Sequence, residues 1–119
     1  MSTPDAPRIL RAGLVSRLLD LASLIATAEE DACRTALDLA AAKEALEGSE
    51  AARTMGGLEG KNADERKAFL FLVTQEPRDA LRTAQEAHQR ASMHLRALTA
   101  ASSILRAVSR LVASGDDND

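Results

Sequence analysis

Gly60-Lys61-Asn62-Ala63-Asp64-Glu65-Arg66-Lys67 is the stretch that decides the fold. It combines a loop, a helix cap and a dense charge cluster, and it separates two long segments rich in alanine and leucine. Residues 56–61 hold three of the six glycines, so a loop is expected there. Asn62 has the short polar side chain of an N-cap, and Glu65 stands three residues on, at the spacing of a capping box. Asp64 and Glu65 lie where the helix dipole favours negative charge. A short helix is predicted over 63–73, ending near Thr74, and Gly60, Asn62, Glu65 and Thr74 are the candidate cap and turn residues.

Upstream, from about Arg8 to Met55, the apolar pattern is helical. Leu14, Leu18, Leu21, Ile25, Ala28, Ala32, Leu39, Ala42 and Leu46 recur at three- and four-residue steps, with Val15, Leu19, Ala22 and Ala26 beside them. One neighbouring helix cannot cover both rows. Leu14, Val15, Leu18, Leu19, Leu21 and Ile25 are therefore the candidate oligomer interface. Gly48-Ser49 is expected to weaken or kink this helix, and Gly56-Gly57 to end it.

Downstream, Ala68-Phe69-Leu70-Phe71-Leu72-Val73 holds both aromatics of the chain and is expected to be buried nearly all round. Thr74 is expected to cap a third helix, with Pro77 tolerated in its first turn. That helix is predicted to reach about Ala113, with Gly115 ending it. Leu81, Ala84, His88, Ala91, Leu95, Leu98, Leu105 and Val112 form one stripe. Met93, Ala97, Ile104, Val108 and Leu111 are expected on an adjacent one. The pattern predicts an all-α protein: an antiparallel hairpin of two long helices with a short helix at the turn, in an oligomeric bundle. The organisation is a disordered lead over 1–7, one helical domain over 8–114 and an acidic tail over 115–119.

Composition supports a thin core. Of 119 residues 45% are hydrophobic but only 2% aromatic. Alanine favours helix yet buries little surface, and oligomerisation is a common remedy. The net charge of −3 gives no global attraction to nucleic acid or anionic membrane. The single cysteine excludes an internal disulfide and suits a reducing compartment. Cys33, beside alanines, is expected as a small packed hydrophobe. No signal peptide and no membrane span are recognised, so a cytoplasmic protein is expected.

Charge is unevenly divided. Between Arg78 and Ala113 there are six arginines and two acids, a balance of +4. Between Ile9 and Glu47 there are four bases and seven acids, a balance of −3. Charge pairing across the hairpin is the simpler reading. The functional one is a phosphate-binding line at Arg90, Arg96, Arg106 and Arg110, in the acid-free part of the last helix. The lack of stacking aromatics argues against base-specific single-strand recognition. Lys61, Arg66 and Lys67 beside a helix N-terminus suit an anion or, more simply, a solvated helix start. His88 and His94 share no helical face and have no ligand partner at metal spacing, so no metal is expected. No catalytic triad, paired carboxylate or complete phosphate loop is found, so neither enzyme activity nor a cofactor is expected.

The layout resembles a family of small all-helical proteins encoded by bacteriophages and prophages, mostly without an assigned function. The shared look is a long Ala/Glu-rich helix and a Gly-Lys-Asn-Ala-x-Glu-Arg-Lys segment, followed by a short helix ending near a Thr and a last helix with a Leu-Arg-Ala-Leu run. Here these are Gly60 to Lys67, Thr74, and Leu95-Arg96-Ala97-Leu98. The chain differs in its apolar N-terminal third and in Gly56-Gly57. The resemblance implies a non-enzymatic oligomer accessory to phage DNA metabolism. Its partners would be a phage or host DNA-processing protein, with weak nucleic-acid contact and no membrane. Alternatives are a virion or other structural assembly protein, and a secreted dimer resembling the WXG-type helical hairpins. The missing Trp-x-Gly turn argues against the last.

Overall fold

A computed structural model describes residues 6–117; the rest of the expected lead and tail lies outside the described residues. Three helices follow in order: α1 over Ala6–Met55, α2 over Ala63–Val73 and α3 over Gln75–Asp117. The described residues contain no strand. α1 and α3 pack against each other with α2 between them in the chain. Their direction is antiparallel, since Thr35 of α1 meets His88 of α3, and Glu50, later in α1, meets Arg78, earlier in α3.

Helix boundaries follow local chemistry. α1 begins at Ala6, and Pro7 falls in its first turn, where the missing N–H has no intrahelical partner to lose. It runs unbroken through Gly48-Ser49. A glycine costs a helix about 1 kcal/mol relative to alanine, and the surrounding alanine, leucine and glutamate residues offset that. At the far end the Gly56 N–H donates to the Ala52 carbonyl at 3.0 Å and the Gly57 N–H to the Thr54 carbonyl at 3.3 Å. Gly57 has φ 91°, which turns the chain out of the helix. α3 continues through Gly115 to Asp117, beyond the expected end. Gly115 keeps a negative φ, so it makes no left-handed cap.

The packing between α1 and α3 follows a strict heptad step. On α1 the inward positions are Leu14, Leu18, Leu21, Ile25, Ala28, Ala32, Thr35, Leu39, Ala42, Leu46 and Ser49, at alternating steps of four and three. On α3 they are Leu81, Ala84, His88, Ala91, Leu95, Leu98, Ser102, Leu105, Ser109 and Val112, at steps of three and four. Every one is buried or half-buried. This is the spacing of coiled coils. The seam is narrow: among the described apolar residues only Leu14 and Ala28 are fully buried.

The chain divides into two compact units. One is the continuous stretch Ala32–Ala91. The other joins the residues up to Asp31 with those from Ser92 on. In the second unit, Leu14, Ala28 and Ser102 are the buried seam residues. In the continuous unit the buried residues are Thr35 and Thr74, both hydroxyl-bearing. The Thr35 Oγ1 lies 3.1 Å from the Ala32 carbonyl and 3.0 Å from His88 Nδ1. If its one proton goes to the carbonyl, the hydroxyl accepts from an Nδ1–H, which fixes the imidazole tautomer.

Two burial expectations are corrected. α2 has no fully buried residue; Phe69, Leu70 and Val73 are half-buried, whereas Phe71 and Leu72 are exposed. A two-to-three-turn helix at a joint meets neighbours on one side only. Cys33 is exposed, because it lies one residue beyond the inward Ala32 and so turns outward.

Thr35→Val removes the hydroxyl and leaves the imidazole nitrogen without its partner. A loss of about 1–3 kcal/mol is expected in urea denaturation, and the pair Thr35→Val with His88→Leu should recover much of it. An unmoved midpoint in the single variant would show that the bond contributes nothing.

Candidate functional site

The joint is built as a set of backbone-satisfying contacts. Asn62 is the N-cap of α2, with φ −142° and ψ 175°. Its Oδ1 accepts from the Glu65 N–H at 2.9 Å. The return bond goes one residue further back than in a standard capping box: the Lys61 N–H donates to Glu65 Oε2 at 2.6 Å. Gly60 is constrained twice over. Its φ is 140°, and a Cβ there would lie 2.8 Å from the Arg66 backbone nitrogen and 2.8 Å from the Glu65 Cβ. Lys61, Arg66 and Lys67 are exposed at this helix start. The carboxylate of Glu65 already occupies the place an external anion would take at the Lys61 N–H.

Thr74 joins α2 to α3 and is 0% exposed. Its hydroxyl closes α2, donating to the Leu70 carbonyl at 2.6 Å, rather than capping α3. Its own carbonyl accepts the Arg78 N–H at 3.1 Å. The same hydroxyl accepts from Arg78 Nε at 3.0 Å. Arg78 then reaches Glu50 Oε1 at 3.5 Å and lies 4.8 Å from the Phe71 ring centre. One guanidinium thus touches α1, α2 and the α2–α3 joint, using its planar fork and its face at once. An open groove of about 270 Å³ runs past Leu46, Phe71, Gln75, Arg78 and Leu81. Arg78 is engaged on both sides there, and Arg82, which also lines the groove, is exposed and lies 3.8 Å from Asp79.

The four arginines proposed for phosphate do not form one line. Arg90, Arg96, Arg106 and Arg110 are all exposed, and none forms an ion pair among the described residues. Arg96 and Arg110 lie two heptads apart on one line of α3, and Arg106 lies beside it. Arg90, six residues before Arg96, lies on another side. Glu50–Arg78 bridges α1 and α3; Asp79–Arg82 is an exposed pair within α3 at 3.8 Å.

The six candidate interface residues divide. Leu14, Leu18, Leu21 and Ile25 face the seam, whereas Val15 and Leu19 are exposed. On α3, Met93, Ala97, Ile104 and Leu111 are also exposed. By heptad count they lie opposite the seam rather than adjacent to it, and Ala100 and Ala107 complete their line. Sequence reading passed over Thr35 and Ser102, because both fill gaps in apolar rows with polar side chains. The unbroken three–four step was the signal that would have found them. Among the described residues no group of three His, Cys, Asp or Glu is placed to hold a metal ion, and no helix is long and apolar enough to cross a membrane.

Comparison with protein-family models, curated proteins and solved structures finds no match to the chain.

Asn62→Ala is expected to lower stability by about 0.5–2 kcal/mol through loss of the cap. Gly60→Ala should cost at least as much, from the left-handed φ and the contact with Arg66 together. Amide exchange over 63–73, compared with thermal melts, reads both; unchanged protection in α2 would show that the cap does not hold it.

Proposed function

We propose that the chain is a non-enzymatic, self-associating helical protein that works through protein–protein contacts. The observation that carries this reading is the outward apolar surface of the two long helices. Leu19 is 67% exposed, Ile104 64% and Leu111 73%. Contiguous exposed apolar surface of this kind marks interaction sites.

Near Ile9, Leu10, Gly13 and Leu14 an open, mostly apolar groove of about 250 Å³ adds to this surface.

The resemblance carried by Gly60 to Lys67 supports a biological setting. The assembly would be an accessory to phage DNA metabolism in the host cytoplasm, docking on a DNA-processing protein. Contact with nucleic acid would be led by phosphates and confined to the strip of Arg96, Arg106 and Arg110.

Sedimentation at micromolar concentration is expected to show an oligomer. Leu19→Asp should dissociate it while leaving the helical spectrum intact, because Leu19 lies outside the seam; Leu18→Asp should unfold the chain. A folded monomer of the unaltered chain would overturn self-association. A gel shift at low salt, lost with Arg106→Glu and Arg110→Glu, is expected if the strip meets DNA; no shift would leave protein contacts alone.

A further inference from the structure

Building on the self-association proposed above, we infer that copies of this chain meet through unlike faces: the outward stripe of α3 on one copy seats against the outward row of α1 on the next.

The α3 stripe is Met93, Ala97, Ala100, Ile104, Ala107 and Leu111, at alternating steps of four and three. It keeps the same heptad period as the α3 seam and lies on the opposite side of the helix. All six are exposed. A solvated face needs no such period; a second helix does. The α1 row is Ala12, Val15, Leu19, Ala22 and Ala26, at steps of three and four, and all five are exposed. Extended to Glu30, it spans about 27 Å, and the α3 stripe spans about 27 Å as well.

Charge selects the pairing. Arg96 and Arg110 border the α3 stripe, and no acid lies between Ala87 and Ala113. Glu29 and Glu30 stand at the far end of the α1 row, exposed, whereas the exposed Arg8 and Arg17 lie toward its start, so the acidic complement is confined to the Arg96 end. Two α3 stripes facing each other would bring arginine lines together with nothing to neutralise them. Two α1 rows facing each other would oppose alanine-rich surfaces and leave the α3 stripe in water.

Size points the same way. With the helices antiparallel and Arg96 level with Glu30, Leu19 stands opposite Ala107 and Ile104 opposite Ala22. At these two positions a large side chain meets a small one, as interdigitating helices favour, whereas Val15 stands opposite Leu111 and Ala26 opposite Ala100. The contact of unlike faces either occurs twice in a closed dimer or repeats into a larger assembly.

Cysteine cross-linking tests this directly. In a Cys33→Ser background, chains carrying Leu19→Cys and chains carrying Ala107→Cys are oxidised separately and mixed, with a size tag on one. The expected result is a mixed disulfide dimer at several-fold higher yield than either chain gives alone. Cross-links confined to one variant by itself would overturn the inference and show like faces in contact. A mixture without the mixed product, in protein that still sediments as an oligomer, would overturn the inference and leave self-association standing. A monomer in sedimentation would remove both. A charge exchange checks the pairing without cysteines. Arg96→Glu or Glu30→Arg alone should weaken association about tenfold, and the two together in one chain should restore it. Equal weakening in the double variant would overturn the pairing.

Discussion

A seam in which leucine is repeatedly interrupted by alanine, serine and threonine buries surface at those short positions only if two helices come close, and that requirement organises the rest of this chain. Ala28, Ala32, Ala42, Ala84 and Ala91 stand at inward positions, with leucines between them. Close approach makes a narrow contact. Each buried methylene is worth about 0.8 kcal/mol, so a narrow seam interrupted by short side chains gathers little at those positions. The unbroken three–four step compensates by continuing along both helices without a slip. Polar residues in the seam then serve register: Thr35 and His88 can meet in one alignment and lose their bond in any other.

Much of this is legible in the sequence. Asn62 and Glu65 announce a helix start because their side chains satisfy backbone donors locally, within a few residues. The inward leucines announce a stripe because a period survives in sequence. What failed to read depends on neighbours distant in the chain. Phe71 and Leu72 look like core by composition, yet which side of a short helix is covered depends on where α1 lies. Cys33 looks like its alanine neighbours, and one step of rotation puts it outside. The position of Arg78 illustrates the same limit. Sequence counts it among the basic residues of α3, whereas the fold uses it as a tie between Glu50, Phe71 and the Thr74 hydroxyl.

The charge imbalance between α1 and α3 invites the idea of a zipper of ion pairs. One such tie is Glu50–Arg78, beside the joint of the hairpin. Exposed ion pairs contribute little, about 0–1 kcal/mol, so the hairpin does not depend on many. The remaining arginines of α3 point outward, where they act on whatever approaches. Charge complementarity at a surface gives specificity more than strength.

The division of the chain carries a kinetic consequence. Ala32–Ala91 is continuous in sequence and contains the joint, whereas the other unit is made from the two ends of the chain. Closing a loop costs more as it lengthens, by about 0.6 kcal/mol per doubling. The ends therefore meet cheaply only after the continuous unit has drawn α1 and α3 together. Folding is expected to advance from the joint outward, as a clasp closes, with Gly60, Asn62 and Thr74 setting its first turn. The inward apolar positions farthest from the joint are then the last to find their partners within the chain.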